Sequence, residues 1–276
     1  MRDLTGGGNN EGIAVVIKSG TGMLAIRKRL NPMKSKDSMG DEVSIMKKLA
    51  HHPNIVQIYD FVPASEETSH KDEIYMEYCK TIVRGEQINT IHEISQMYMR
   101  KRETIPELFL WHLFEGMLRA IVFMHFGIRN EADEPNPDWE AIFHNDMYSV
   151  NIFLSSGKKI KTMEVKAEYP RVVVGDFGQA NTASGIQAYC ARRSESQSSL
   201  FQRPDNKDVD SVFVILKLFT GLQDCWKFSP ELREMMLCLM GIKDGSRTIL
   251  TLLKTLIKTK ERLMNEGKLV FKPLLE

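Results

Sequence analysis

The chain has 276 residues, 42% hydrophobic and 26% charged, enough to bury a core in one two-lobed domain or two small ones. Its 37 basic and 36 acidic residues leave a formal charge of +1, so no global field draws nucleic acid or an anionic membrane, and a charged partner must meet a local patch. Four scattered cysteines, Cys79, Cys190, Cys225 and Cys238, lack the spacing of a zinc site or a disulfide framework and predict reduced thiols in an intracellular protein, cytoplasmic or nuclear.

A Gly/Asn cluster from Gly6 to Gly12 precedes the β-branched run IAVVIK, a Ser-Gly-Thr-Gly turn and the apolar run MLAI, which predict two strands joined by a turn. Met39, Val43, Met46 and Leu49 recur at helical intervals and predict a short amphipathic helix over 37–50. HHPNIVQIYDFV returns to strand character, and EIYMEYC, from Glu73 to Cys79, is a further strand. Polar residues then lead into a long helix from Pro106 to about His125, with Leu110, Trp111, Phe114, Met117, Leu118 and Ile121 on one broad stripe. The loop RNEADEPNPDWEA separates that helix from IFHNDMYSVNIFL, and EYPRVVVGDFG supplies a strand ending in Asp-Phe-Gly. SVFVILKLFTG is apolar on nearly all sides, as a helix in the middle of a domain would be, and helical stripes with short breaks follow from Ser229. A β-rich first third and a helical remainder predict the α+β class. No apolar run reaches the roughly 18 residues of a membrane helix, and the polar amino terminus is no secretory signal.

A glycine-rich turn alone reads as a mobile loop, a single lysine as a surface residue, and a lone loop Asp or Asn as a helix cap. What carries information is order. GGNNEGIAVVIK, AIRKRL, GDEVSIMKKLAHHPNIV, EIYMEYC, HNDMYSVNIFL and GDFG follow one another as the motifs of eukaryotic-type protein kinases do, and the chain resembles that family over nearly its whole length. The resemblance implies a single domain over 1–276, with a small β-rich lobe over 1–78, a larger helical lobe over 79–276 and ATP with Mg²⁺ in the cleft between them.

Residue by residue, the resemblance places Gly7 and Gly12 in the phosphate-covering loop, with Asn9 in place of its second glycine and Ala14 in place of its valine. Lys28 matches the strand lysine that holds phosphates, with Arg27 the alternative register, and Ile26 faces the adenine. Glu42 matches the helix glutamate paired with that lysine. Met76 falls at the gatekeeper position, Glu77 to Cys79 in the hinge, and Phe153 against the cofactor. In the catalytic loop Asp146 would orient and deprotonate the acceptor hydroxyl, while Asn151 and Asp176 would bind the metal. His144, Phe177, Met46 and Ile58 match a hydrophobic spine, though core packing explains each alone. Asp208 or Asp210 matches the aspartate tying the catalytic loop to the central helix, and Arg247 a late family arginine. The strings DWEAIFHND and NIFL are similar to those of fungal kinases near the NIMA-related group.

The pattern also departs from the family. Asn145 replaces the arginine that reads activation-loop phosphorylation, Tyr148 replaces the lysine of serine/threonine kinases, and Val150 does not supply the arginine of tyrosine kinases. Ile186, Arg192 and Arg193 stand where Thr, Pro and Glu are usual, with Glu195 a possible partner for Arg247. Three readings follow: a serine/threonine protein kinase, a pseudokinase or scaffold that keeps ATP, and a small-molecule kinase of the aminoglycoside or choline kinase sort.

Overall fold

The first third forms an antiparallel sheet in the order β1-β2-β3-β5-β4, built from β1 (Arg2–Leu4), β2 (Asn10–Ile17), β3 (Leu24–Leu30), β4 (Ile58–Val62) and β5 (Glu73–Glu77). The computed structural model describes residues 2–4, 10–18, 20–30, 40–64, 72–156, 169–187, 204–220, 227–240 and 245–274. β-Branched Ile13, Val15 and Ile17 fill the alternating positions of β2 and pair with Lys28, Ile26 and Leu24 of β3. Helix α1 (Gly40–Lys48) packs Ile45 and Met46 into the core.

The residues from His51 form no strand before Ile58, because this segment turns inward instead of joining the sheet. The His52 ring stacks on Phe123 at 4.5 Å, Asn54 Nδ2 donates to the Val172 carbonyl at 2.8 Å, and Ile55 bridges to Val174. Burial, then the charges of Arg129 and Arg119, push the His52 pKa down to about 4, so it packs as a neutral ring.

Residues 81–101, read above only as polar, form the hairpin β6 (Thr81–Val83) and β7 (Glu86–Ile88) and helix α2 (Ile91–Lys101). The signal was present: Thr90 and Glu93 make a reciprocal capping box, Thr90 Oγ1 accepting from the Glu93 N–H and the Glu93 carboxylate from the Thr90 N–H.

Helix α3 (Glu107–Phe126) starts after Pro106 and stops where Gly127 turns left-handed at φ 69°. Contrary to the expectation of no span-length apolar segment, it is by length and composition long and apolar enough to cross a membrane. Its apolar surface is spent inside the domain, since all but five of its 20 residues are buried. Around it lie β8 (Ile142–Phe143), β9 (Ile152–Ser155), β10 (Arg171–Val174), β11 (Asn181–Thr182) and helices α4 (Pro204–Thr220), α5 (Pro230–Met240) and α6 (Gly245–Asn265). β9 pairs with β10 and β8 with β11, both antiparallel, which puts the HND loop beside the GDFG segment. A small antiparallel sheet before a helical body is the two-lobed kinase-like arrangement.

Candidate active site

A cavity of about 300 Å³ opens between the sheet and the helical body, lined by residues of β2, β3, α1, the chain after β5, α2 and the loop before β9. Its roof carries Ile13 and Ile26, its floor Phe153, and its inner end Lys28, Glu42 and Asp176. Met76, Glu77 and Cys79 lie along the chain that joins sheet to helices, and Met76 pairs with both Ile26 and Ile58 in the sheet.

Lys28 is 3% exposed, and its Nζ donates to Glu42 Oε1 at 2.7 Å and to Asp176 Oδ1 at 2.8 Å. Arg27, its neighbour in sequence, faces the other side of β3 and pairs with Glu73 at 3.7 Å, so alternation along the strand decides which of the two reaches the cleft. Burial opposes the charge on Lys28, but the two carboxylates outweigh it and raise its pKa above the usual lysine value. Burial likewise tends to raise the Asp176 pKa, and Lys28 outweighs that and lowers it. Asp176 sits at φ 61°, a left-handed conformation that turns its carboxylate back towards Lys28 at the end of β10.

The HND loop is built by hydrogen bonds to its own backbone and to α4. Asp208, on α4, is wholly buried and accepts from the His144 N–H at 2.8 Å, the Asn145 N–H at 2.9 Å and His125 Nε2 at 3.2 Å. Asp210, the alternative, is exposed on the same helix. His144 accepts from the Asp146 N–H through Nδ1 at 3.2 Å and meets the Gly175 carbonyl through Nε2 at 3.0 Å. Its ring lies edge-on to Phe177 at 4.8 Å, with Met46 and Phe177 buried and Ile58 packed against the same core. Asn151 Nδ2 donates to the Asp146 carbonyl at 2.8 Å and to Asp146 Oδ2 at 3.0 Å, which fixes the carboxylate beside the cleft rather than in its lining.

Two expected residues are placed differently. Ala14 does not line the cavity: it is buried at 3%, and Ile13 faces the cleft instead. The register shift between Asn10 and Ile13 moves the strand by one position, which motif spacing alone cannot show. Gly12 lies on β2 at φ 151°, a conformation glycine favours, and is likewise outside the lining. Gly7, Asn9, Arg192, Arg193, Glu195 and the Arg247 side chain lie outside the described residues.

A model of the protein kinase domain matches residues 3–205. The chain belongs to the protein kinase family. It is therefore a kinase, a phosphotransferase by family. The match ends as α4 begins, so Asp208 and helices α5 and α6 lie beyond it.

Several residues of this kinase's cleft escaped the sequence reading. Asn89, Thr90 and Glu93 edge the cavity at the start of α2, with Val56 and Val150 and beside the expected hinge residue Tyr78; the capping-box spacing was the available signal for the first three. Glu77, singled out for its backbone, uses its side chain as well. It accepts from Ser155 Oγ at 3.1 Å and pairs with Arg171, which also donates to the Pro53 carbonyl, tying the hinge to β9, β10 and the turn before β4. Asn145, at φ 63°, donates through Nδ2 to the Phe143 and Gln179 carbonyls, both at 3.2 Å. An amide thus holds the chain after Gly178 where other kinases have an arginine. Tyr148 is 58% exposed next to the Asp146 loop.

Proposed function

We propose that this kinase transfers the γ-phosphate of ATP to a protein hydroxyl, of serine/threonine type, with magnesium. The observation that carries this reading is the double grip on Lys28, 2.7 Å from Glu42 and 2.8 Å from Asp176, at the inner end of a cleft beside the Asn151–Asp146 pair. An adenine suits the apolar slot between Ile13, Ile26 and Phe153, with the backbone of Glu77 to Cys79 as its polar edge. Asn89, Thr90 and Glu93 offer hydrogen-bonding groups for a ribose.

Among the described residues no three His, Cys, Asp or Glu side chains gather as a metal cage. Asp176 and the amide oxygen of Asn151, whose N–H groups are spent on Asp146, offer two oxygens. That donor set fits magnesium shared with phosphate oxygens and water, where it would neutralise charge on the transferring group. Lys28 binds and orients the phosphates. Asp146 takes the acceptor's proton as the acceptor oxygen bonds to phosphorus and the bond to the departing ADP oxygen breaks. Serine/threonine type rests on Val150 in place of the tyrosine-kinase arginine, and a protein rather than a small-molecule acceptor rests on the HPNIV string. Kinship with fungal NIMA-related kinases rests on DWEAIFHND and NIFL, and the lobe border at 78/79 on the hinge at Glu77 to Cys79.

The test is incubation with labelled ATP, Mg²⁺, generic protein substrates and aminoalcohols, with Asp146→Ala as control. Label is expected on protein and lost in the variant. Label on an aminoalcohol instead selects the small-molecule reading, and ATP binding without transfer selects a scaffold. No affinity for ATP with magnesium removes the proposal altogether.

Two substitutions refine it. Lys28→Met is expected to lower transfer on the order of a hundredfold, measured as kcat/KM for ATP. It also leaves Glu42, 2% exposed, without its cation, so a lower thermal midpoint should accompany the loss. Tyr148→Lys places a cation on an exposed position of the catalytic loop and is expected to raise kcat several-fold, on the order of 1 kcal/mol of transition-state stabilisation. An unchanged kcat would mean that another group already supplies that charge.

A further inference from the structure

The loop between α3 and β8 joins two elements that the cleft needs in step. Trp139 anchors it: its indole N–H donates to the Met124 carbonyl at 2.9 Å and its ring packs on Phe123 at 5.1 Å. Gly127 leaves room for that ring, since a Cβ there would meet it at 2.7 Å. Glu140 is thereby held between α1 and the chain that follows Gly178. On one side Lys48, in the last turn of α1, lies over the Trp139 ring at 5.0 Å, donates to the Glu140 carbonyl at 3.2 Å and pairs with its carboxylate at 3.5 Å. On the other, Glu140 Oε1 accepts from the Ser184 N–H at 3.3 Å and from the Ser184 hydroxyl, while the Ala183 N–H donates to the Ala141 carbonyl at 3.0 Å.

The two sides matter because each carries one of the carboxylates that grip Lys28. Glu42 is on α1, and Asp176 opens the segment to which Ser184 belongs. We propose that Glu140 is a positioning residue that couples α1 to the segment after Asp176 through Lys48 and Ser184, and that negative charge placed on Ser184 uncouples them. The proposal rests on the phosphate-transfer reading for its effect on rate, but not for its effect on order. An isolated exposed ion pair contributes little. Here one carboxylate serves a cation from one element and two donors from another, and the neighbouring aromatic ring holds that cation. The hydrogen bond from Ser184, opposed by burial and helped by Thr182, the Ser184 N–H and Lys48, keeps the Glu140 carboxyl below the usual range, so it is an anion at neutral pH. A second anion on Ser184, which is exposed, would face it directly.

The experiment compares wild type, Glu140→Ala, Ser184→Ala, Ser184→Asp and the double variant Ser184→Asp with Glu140→Gln, all in the full chain. Amide hydrogen exchange over 181–187 and α1 is read together with kcat and the KM for ATP. Glu140→Ala and Ser184→Asp are expected to speed exchange in both segments on the order of tenfold. They should lower kcat several-fold and change the KM for ATP less, because the adenine slot is untouched. Ser184→Ala should be mild, and Glu140→Gln should restore the Ser184→Asp protein. Unaltered exchange in Glu140→Ala and Ser184→Asp, or an unrescued double variant, overturns the proposal. If wild type transfers no phosphate but exchange responds as described, the transfer reading fails and the coupling stands.

Discussion

Asp176→Asn is expected to lower phosphate transfer on the order of a thousandfold while leaving the thermal midpoint nearly unchanged. An asparagine keeps the size of the side chain and an oxygen to accept from Lys28, now 2.8 Å from Oδ1, and Lys28 retains Glu42 at 2.7 Å. What is removed is the charge itself, in the place where the proposed magnesium and phosphates need it. The measurement is single-turnover transfer at saturating ATP, with nucleotide affinity followed separately. A loss confined to affinity, with the rate of transfer intact, would show that Asp176 only binds and does not act on the transferring group.

Asp208→Ala is expected to destabilise the protein by about 3–5 kcal/mol, seen as a large drop in the denaturation midpoint and as lost activity. Asp208 is fully buried, and its removal leaves the His144 and Asn145 N–H groups and His125 without their acceptor. Those two N–H groups immediately precede Asp146, so the damage reaches the catalytic loop even though Asp208 touches no substrate. Asp208→Asn serves as the milder partner, since it keeps an oxygen acceptor.

The same residue predicts a pH dependence. Burial tends to raise the Asp208 pKa, but the hydrogen bond and field of His125, with the field of His144 and its backbone N–H, outweigh it and hold the group below the usual carboxylate value. A carboxyl depressed in the folded state contributes stability that is full above its unfolded pKa, ~3.9, and that is lost as pH falls through the folded value. The stability gap between wild type and Asp208→Asn should therefore be full near neutrality and close as pH drops below about 4. A gap constant down to pH 3 would mean that the charge of Asp208 contributes nothing.

The strands and long helices were legible because each buries one face and writes its period into the chain. The Leu110 to Ile121 stripe marks α3, and alternation marks β2 and β3. The chemistry was legible through spacing, since Lys28, Glu42, Asp146, Asn151 and Asp176 stand in family order before any contact is known. Less visible were segments whose polar residues face inward for local reasons. The hairpin and α2 over 81–101 announce themselves only by the Thr90–Glu93 box. His51 to Gln57 reads as strand by composition, yet it pairs only at a bridge from Ile55 to Val174, and its apolar side chains turn into the core.

By itself, then, the amino-acid order determined the class of fold, the family motifs and the short list of charged groups, because periodicity and spacing are properties of a single chain. Only the tertiary structure decided between neighbours: Lys28 over Arg27, Ile13 over Ala14, Asp208 over Asp210. Those choices depend on which face of a strand or helix meets which partner, and a bulge or about half a turn of helix reverses them without altering composition. The Arg171–Glu77 tie and the Glu140 bridge between Lys48 and Ser184 join residues 94, 92 and 44 positions apart. No local pattern encodes such separations, which exist only once the chain has folded.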